Sequence, residues 1–187
     1  MAGPPYRHGL LLKSWIVFTA NRCLLDGNIM SLVFTQSTKY EPGVIYRLLS
    51  TCYAEILDRE LTEQFQQFDQ EVFENAETVG ACTFVTTLNL DIVGMASYDP
   101  RQAPKLGIIG HNCILPEHQK KGYGKQQILE VIKRLKSKDI IHVTVSTSEH
   151  PFFEPARKMY LSFGFTELER KQKNPEDLYR TITTEWN

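Results

Sequence analysis

The chain of 187 residues lacks an excess of charge of either sign, because 21 Lys and Arg balance 22 Asp and Glu. Proteins that bind nucleic acids usually carry a strong basic excess, so this balance argues against a nucleic-acid partner. The chain also lacks any apolar run near the roughly 18–20 residues that a membrane-spanning helix requires, so we expect no membrane association. With only 9 Pro and 11 Gly, it is not a fibrous or linker-dominated protein.

Cysteines are few, and none belongs to a metal-binding pattern. Cys23, Cys52, Cys82 and Cys113 are scattered singly along the chain, with no CxxC pair and no HExxH sequence. The sequence therefore predicts no metal site. Isolated cysteines in a chain of this size are typical of small buried side chains in a reducing compartment, so we expect a cytoplasmic protein.

The first 29 residues differ in pattern from the rest. Lys13 interrupts the apolar stretches 10–12 and 15–18, whereas a signal peptide needs a continuous apolar segment. A regular pattern begins near Met30. We therefore interpret residues 1–29 as an N-terminal extension, either a lightly ordered arm or an upstream-extended start, and residues 30–187 as one compact domain.

The apolar periodicity of residues 30–187 predicts the element order β α α β β β α β α β β. The first helix is predicted to run to about residue 57, and the hairpin that turns near Asn89 to end at Asp99-Pro100. A strand over 106–115, a helix from Gly122 and a strand over 140–145 predict a parallel strand pair with a right-handed crossover. The fold class predicted is α/β, with a mixed, mostly antiparallel sheet and helices on both faces.

The segment that points to chemistry lies between the strand over 106–115 and the helix that follows it. Residues 116–125 read Pro-Glu-His-Gln-Lys-Lys-Gly-Tyr-Gly-Lys. Two glycines spaced by one residue allow successive N–H groups to point at one centre, beside the free N–H groups of a helix start, which favours phosphate binding. Two common phosphate loops do not fit, because Gln127 replaces the last glycine of GxGxxG and Gln126 replaces the Ser or Thr of a P-loop.

This segment resembles motif A of the GNAT superfamily of N-acetyltransferases, whose pattern is Q/R-x-x-G-x-G/A. Gln119-Lys-Lys-Gly122-Tyr-Gly124 supplies that pattern, after a strand that ends in Ile-Leu-Pro. A second stretch, from Ala156 through Tyr160 to Gly164-Phe165, resembles the "A…lY…GF" segment on the fourth helix of that family. The element order is similar to the family fold from about residue 30 to the end.

The resemblance implies transfer of an acetyl group from acetyl-CoA, the cosubstrate, to a primary amine of a small molecule or a protein. In such proteins motif A holds the pyrophosphate, and the pantetheine arm lies along the end of the fourth strand. It also implies a V-shaped gap between the strands that end near Leu115 and Val145. The coenzyme-binding residues that it implies are Cys113, Ile114, Leu115, Gln119, Lys120, Lys121, Gly122, Tyr123, Gly124 and Lys125.

The resemblance also implies catalytic roles. Tyr160 matches the family tyrosine that protonates the leaving thiolate, and a phenol suits that task. Many members carry a glutamate base on the fourth strand, but Ile108 stands at that position here. The candidates that remain for the base are His111, Glu149 and His150. Among them His111 is best suited, because the ordinary pKa of histidine lies near neutral pH.

Several alternatives stay open. Ile108, together with Phe153 at a position where the family often has asparagine, favours a non-catalytic coenzyme-A-binding sensor or regulatory module as the second hypothesis. A nucleic-acid binder is the third, and it lacks interleaved aromatic residues. We interpret the acidic face of residues 60–75 as a solvated helix face, with attraction of a cationic acceptor as the sharper alternative. The identity of the acceptor and the formation of a homodimer also stay open.

Overall fold

The computed structural model describes residues 23–25, 28–172 and 179–186. By its internal contacts the chain divides into two units, Met1–Met30 and Ser31–Asn187. In the first unit, β1 (Cys23–Leu25) and β2 (Asn28–Met30) form an antiparallel hairpin. The rest of the predicted N-terminal extension, residues 1–22 and 26–27, lies outside the described residues.

The second unit follows the order of elements that the periodicity predicts, from its first strand onward. Among the described residues, none of its helices is long and apolar enough to cross a membrane. Its elements are β3 (Leu32–Gln36), α1 (Val44–Cys52), α2 (Arg59–Glu74), β4 (Thr83–Leu88), β5 (Asp91–Gln102), β6 (Leu106–Ile114), α3 (Tyr123–Lys136), β7 (Val143–Ser148), α4 (Glu154–Ser162), β8 (Thr166–Lys171) and β9 (Thr181–Trp186).

The strands of this unit form one mixed sheet in the order β3-β4-β5-β6-β7-β9-β8. Within the described residues, β6 and β7 are parallel and the other neighbours are antiparallel. Side chains alternate between two cores, so that Phe84 packs with α3 while Val85 packs with α1 and α2. The predicted mixed sheet with helices on both faces is confirmed.

Three predicted elements have wrong boundaries, and one of them is the strand predicted over 140–145, which runs over Val143–Ser148 as β7. The first helix ends at Cys52 rather than near residue 57, because the chain turns after Tyr53 and the Asp58 carboxylate then caps α2 by accepting the Leu61 N–H at 2.8 Å. β5 continues through Pro100 to Gln102 rather than ending there. The register of β5 against β6 is irregular at this point, so the strand tolerates a residue that has no N–H to donate.

A β-bulge interrupts β6 in its middle. Gly110 and His111 together oppose the single residue Ser97 of β5. The Ser97 hydroxyl accepts the His111 N–H at 2.9 Å, in place of a regular ladder bond. A Cβ at position 110 would lie 2.5 Å from the Ser97 oxygen, so the bulge requires glycine there. Such bulges bend a strand and redirect its side chains.

β6 and β7 separate where the bulge begins. Their parallel ladder joins residues 107–109 to residues 143–145. Beyond it β6 continues to Ile114 and β7 to Ser148, each paired on its other edge only. We call the gap between these two diverging ends the split. It lies where the family resemblance implies a V-shaped gap.

A carboxylate from α2 caps the start of α1. The residue before α1, Gly43, has a positive φ of 91° and no side chain with which to cap the helix. Asp69, buried on α2, accepts the N–H groups of Gly43 at 2.8 Å, Ile45 at 2.9 Å and Tyr46 at 3.1 Å. These bonds satisfy donors that a helix start leaves free, and the negative charge suits the helix dipole.

We expect Asp69→Ala to lower the free energy of unfolding by about 2 kcal/mol, because three buried or partly buried donors lose a charged acceptor. Urea denaturation followed by circular dichroism measures the change. Glu63→Ala is the matched control, since Glu63 lies on the same helix in an exposed pair with Arg59, and it should change stability by less than about 0.5 kcal/mol. An equally small effect of Asp69→Ala would contradict the capping role.

Candidate active site

The loop between β6 and α3 presents six consecutive free N–H groups. In the described part of the chain, the backbone N–H groups of residues 120–125 donate to no protein acceptor. Lys120 and Gly122 have left-handed backbones, with φ of 60° and 81°. A Cβ on Gly122 would meet nothing within 4 Å, so its backbone angle rather than space favours glycine. We call residues 120–125 the anion cradle, because such alternation turns N–H groups toward a common centre.

Two kinds of side chain surround the anion cradle: lysines that carry charge, and Gln119, which holds the loop to β6. Lys120, Lys121 and Lys125 are exposed, although the Lys121 ammonium also donates to the Glu117 carbonyl at 2.9 Å. Gln119 has a different place, since its side-chain amide donates to the Ile114 carbonyl at 3.0 Å and its N–H donates to Pro116. Gln119 therefore ties the loop to the end of β6 and uses its own donors to do so.

The last residues of β6 turn backbone groups toward the split. The Leu115 N–H donates to Val93 of β5 at 2.9 Å. In an antiparallel pair, every second residue directs its N–H and carbonyl at the partner strand. Ile114, next to Leu115, therefore directs both groups away from β5. The side chain of Cys113 is buried toward α1, where burial and a hydrogen bond with Cys52 raise the pKa of its thiol. Cys113, two residues before Leu115, directs its backbone groups to β5 as Leu115 does, so Ile114 is the residue of this stretch that offers backbone groups to the split.

Tyr160 lies on α4 and reaches the split from the face of the sheet opposite to α1. Its ring is buried and packs edge-on against Phe165, with 5.4 Å between the ring centroids. Burial raises the pKa of the Tyr160 hydroxyl to about 12, while a hydrogen bond with the side chain of Asn112 acts to lower it. Arg157 fastens the same helix to the end of β7 by donating to the carbonyls of Ser148 and His150.

Two residues near Tyr160 are absent from the sequence-based prediction of the site. Gln127 is fully buried and donates to the Asn112 side-chain oxygen at 2.7 Å. Gln127 had a usable signal, because it precedes Val131 by four residues and Leu135 by eight, on the buried stripe of α3. The sequence carries no such signal for Asn112, because the direction of its side chain is set by the bulge, and the bulge depends on pairing with β5.

Aromatic rings border the split on the side of α1 and α2. The His111 ring lies 4.8 Å from Phe68 and 5.8 Å from Phe65, measured between centroids. Tyr53 continues the contact to the turn before α4, with its ring 5.3 Å from Phe65 and 5.4 Å from Phe152. We call this cluster the aromatic wall; it consists of Tyr53, Phe65, Phe68, His111, Phe152 and Phe153. The wall makes this side of the split apolar.

The three candidates for a base differ in their surroundings. Desolvation lowers the pKa of His111 to about 4, so its imidazole is neutral at pH 7. Glu149 is held by Arg170 and Arg180 at 2.6 and 2.9 Å, and these bonds lower its pKa to about 2. The Nδ1 atom of His150 accepts the Phe152 N–H at 3.1 Å. Glu149 and His150 are therefore engaged in holding loops, whereas His111 is part of the aromatic wall.

The four glutamates of α2 are engaged within the helix itself, whereas Asp69 caps α1. Glu63 pairs with Arg59, and Glu60, Glu71 and Glu74 accept amide bonds from glutamines four residues away. The interpretation of a solvated helix face fits the glutamates and is wrong for Asp69, which is buried. Among residues 23–25, 28–172 and 179–186, no three His, Cys, Asp or Glu side chains are placed to hold a metal ion.

Comparison with known proteins identifies the family. The sequence profile of the Acetyltransferase (GNAT) family matches residues 44–165, from α1 to the residue before β8. This match covers more than half of the chain, so the chain belongs to the GNAT family of acetyltransferases. A search of the curated proteins found none that matches.

Solved structures share the fold. A structure from Desulfovibrio desulfuricans that is assigned to the GNAT family is similar with a TM-score of 0.69 and 17% identity, over 84% of this chain and 98% of that one. The ribosomal-protein-S18-alanine N-acetyltransferase from Escherichia coli gives 0.62 and 14%, over 84% and 93%. A GNAT family acetyltransferase from Elizabethkingia anophelis with acetyl-CoA bound gives 0.59 and 16%, over 84% and 97%.

The surroundings of His111 predict a pH dependence of stability. The folded pKa of about 4 lies below the ordinary value of 6.5, so between these pH values the unfolded chain binds a proton that the folded chain does not. Stability conferred by neutral His111 is therefore complete above pH 6.5 and is lost as the pH falls toward 4. Urea denaturation at pH 7, 5.5 and 4 should show a smaller loss for His111→Phe than for the wild type.

The control for this measurement is His142→Gln, which removes a histidine that is about half exposed. This variant should keep the loss of stability that His111 causes. If His111→Phe lost as much stability as the wild type between pH 7 and 4, the folded imidazole would not have the lowered pKa described above.

Proposed function

We propose that the protein transfers the acetyl group of acetyl-CoA to a primary amine of a small molecule or a protein. The observation that supports this most is the position of the anion cradle, whose six free N–H groups lie directly beside the end of the split. A diphosphate held by these donors leaves the thioester end of the same molecule to lie along β6. The experiment that tests it is release of coenzyme A thiol from acetyl-CoA in the presence of a panel of amines.

The residues present fit coenzyme A both at its diphosphate and at its thioester end. Free N–H groups at a helix start, with Lys120, Lys121 and Lys125 around them, suit a diphosphate. The N–H of Ile114 faces the split, where a donor would stabilise the negative charge that develops on the thioester oxygen. Among residues 113–115, a pantetheine arm would pair with the backbone of Ile114 and lie beside Cys113 and Leu115, whose backbone groups face β5. Gln119 would act indirectly, by fastening the anion cradle to β6.

The aromatic wall suits the attacking amine. An amine attacks in its neutral form, and transfer into apolar surroundings disfavours its protonated form. His111 is neutral above pH 4 and would accept the proton that the amine loses as the new C–N bond forms. We therefore expect acceptors with an aromatic or apolar group next to the amine to be preferred over strongly polar ones.

Tyr160, on the other face of the sheet, would supply the proton that the leaving sulfur accepts. When the C–S bond breaks, its electron pair stays on sulfur, and the phenol donates a proton to that sulfur. A pKa of about 12 keeps the phenol protonated at neutral pH. His111 and Tyr160 thus give the reaction a proton acceptor and a proton donor on opposite faces of one sheet.

A non-catalytic coenzyme-A sensor of the same fold is the second candidate. The observation that favours it is the low basicity of His111 among aromatic rings, with Glu149 and His150 engaged elsewhere. Tight binding of coenzyme A without thiol release across the amine panel would support the sensor. Location in the cytoplasm remains a prediction from the sequence, and the formation of a homodimer stays open.

Reversing charge at the anion cradle should weaken coenzyme binding. We expect Lys120→Glu with Lys121→Glu to lower the affinity for coenzyme A at least tenfold, and to leave the affinity for pantetheine, which has no diphosphate, unchanged. Isothermal titration calorimetry at two salt concentrations measures both, because charge attraction is screened by salt. The control is Lys133→Glu with Lys138→Glu, one in the last turn of α3 and the other just after it, which should stay within twofold of the wild type.

Removing the hydroxyl of Tyr160 should slow turnover. We expect Tyr160→Phe to lower kcat about 100-fold, the usual size of a general acid contribution, with the KM for acetyl-CoA within twofold of the wild type. Steady-state thiol release measures both constants. Tyr179→Phe, which changes an exposed tyrosine that packs on His150, should leave kcat unchanged. An unchanged kcat for Tyr160→Phe would remove the acid role.

A further inference from the structure

A buried glutamine near the start of α3 forms hydrogen bonds with three strands of the sheet. Gln127 is fully buried, and its side-chain oxygen accepts the Thr86 hydroxyl of β4. Its side-chain nitrogen lies 3.2 Å from the Met95 oxygen of β5, and 2.7 and 3.3 Å from the Asn112 side-chain oxygen and the Cys113 carbonyl oxygen of β6. A buried amide without partners would be costly, so these bonds fix where Gln127 can lie.

Two backbone carbonyls decide which way the amide of Gln127 points. A carbonyl oxygen only accepts, so the nitrogen of the amide must face Met95 and Cys113 and its oxygen must face Thr86. The sheet leaves room for the amide at Gly94, where a Cβ would lie 3.1 Å from the Gln127 side-chain oxygen and 2.3 Å from the Cys113 carbonyl oxygen. A side chain at position 94 would therefore collide with the strand and crowd the amide.

Two glutamines, one on each side of the anion cradle, bind adjacent carbonyls at the end of β6. Gln119, directly before the cradle, donates to the Ile114 carbonyl. Gln127, two residues after the cradle, donates to the Cys113 carbonyl. Burial of apolar side chains on α3 has no preferred direction, whereas a hydrogen bond depends on distance and angle. The two amides therefore set the distance between the anion cradle and the end of β6.

We propose that Gln127 is a positioning residue that holds the anion cradle at a set distance from the backbone of Ile114. The inference rests on the coenzyme A site of the proposed function, which the transferase and the sensor share. The diphosphate in the cradle and the pantetheine arm beside Ile114 belong to one molecule, so each end brings the other to its place only when this distance matches the molecule between them. Because Gln127 is buried, it acts through α3 and β6 and not by contact with the coenzyme.

A comparison of two ligands tests this positioning role. Coenzyme A uses both the anion cradle and the end of β6, whereas ADP carries a diphosphate without the pantetheine arm. We expect Gln127→Met, which removes the amide while nearly keeping its volume, to lower the affinity for coenzyme A about tenfold and to leave the affinity for ADP within about twofold of the wild type. Isothermal titration calorimetry measures both affinities. Thr86→Val, which keeps Gln127 but removes the hydroxyl that holds its oxygen, should also weaken binding of coenzyme A alone.

The control is Val131→Ala, which removes apolar volume from the same buried stripe of α3 and none of these hydrogen bonds. It should lower the melting temperature and leave the ratio of the two affinities unchanged. Equal losses for coenzyme A and ADP in Gln127→Met, or no loss for either, would overturn the positioning role while coenzyme binding by the wild type stands; if that variant does not fold, Thr86→Val decides by the same criterion. A wild type that binds no coenzyme A would overturn the coenzyme site itself, and the positioning role with it.

Discussion

The bond from the His111 N–H to the Ser97 hydroxyl decides the geometry of the whole site. It closes a bulge that places two residues of β6 opposite one residue of β5, and it needs Gly110 because a Cβ would collide with the serine oxygen. Without this extra residue, β6 would keep its register against β5, and the side chains after it would change faces. The bulge begins directly after the last residue that pairs with β7, so the same irregularity marks where the split opens.

The bulge decides which face each later residue of β6 serves, and the regular alternation of a strand then places neighbouring residues on opposite faces of the sheet. His111 packs with Phe65 and Phe68 of α2, while Asn112 meets Gln127 of α3. One face of the split is therefore apolar and the other is built on ordered amides. His111 and Tyr160, the proton acceptor and donor that we propose, therefore have different surroundings on the two faces of the sheet.

Local pattern was sufficient to predict most of the fold. The apolar stripe of α3 and the glycine spacing before it gave the helix and the loop, because both depend on residues near each other in the chain. The pKa of His111 depends on rings more than forty residues away, which no local pattern reports. Asn112 depends on pairing between strands for the same reason. Gln127 is an intermediate case, since a polar residue on a buried stripe can be noticed before its partners are known.

The capping of α1 by Asp69 has a mechanical consequence. A single carboxylate on α2 holds three N–H groups at the start of α1, so the two helices cannot slide past each other without breaking these bonds. Tyr53, which follows α1, and Phe65 on α2 are thereby carried on one rigid body. A ligand that enters between the rings must then displace the helix pair as a whole, or else rotate individual rings within a fixed frame.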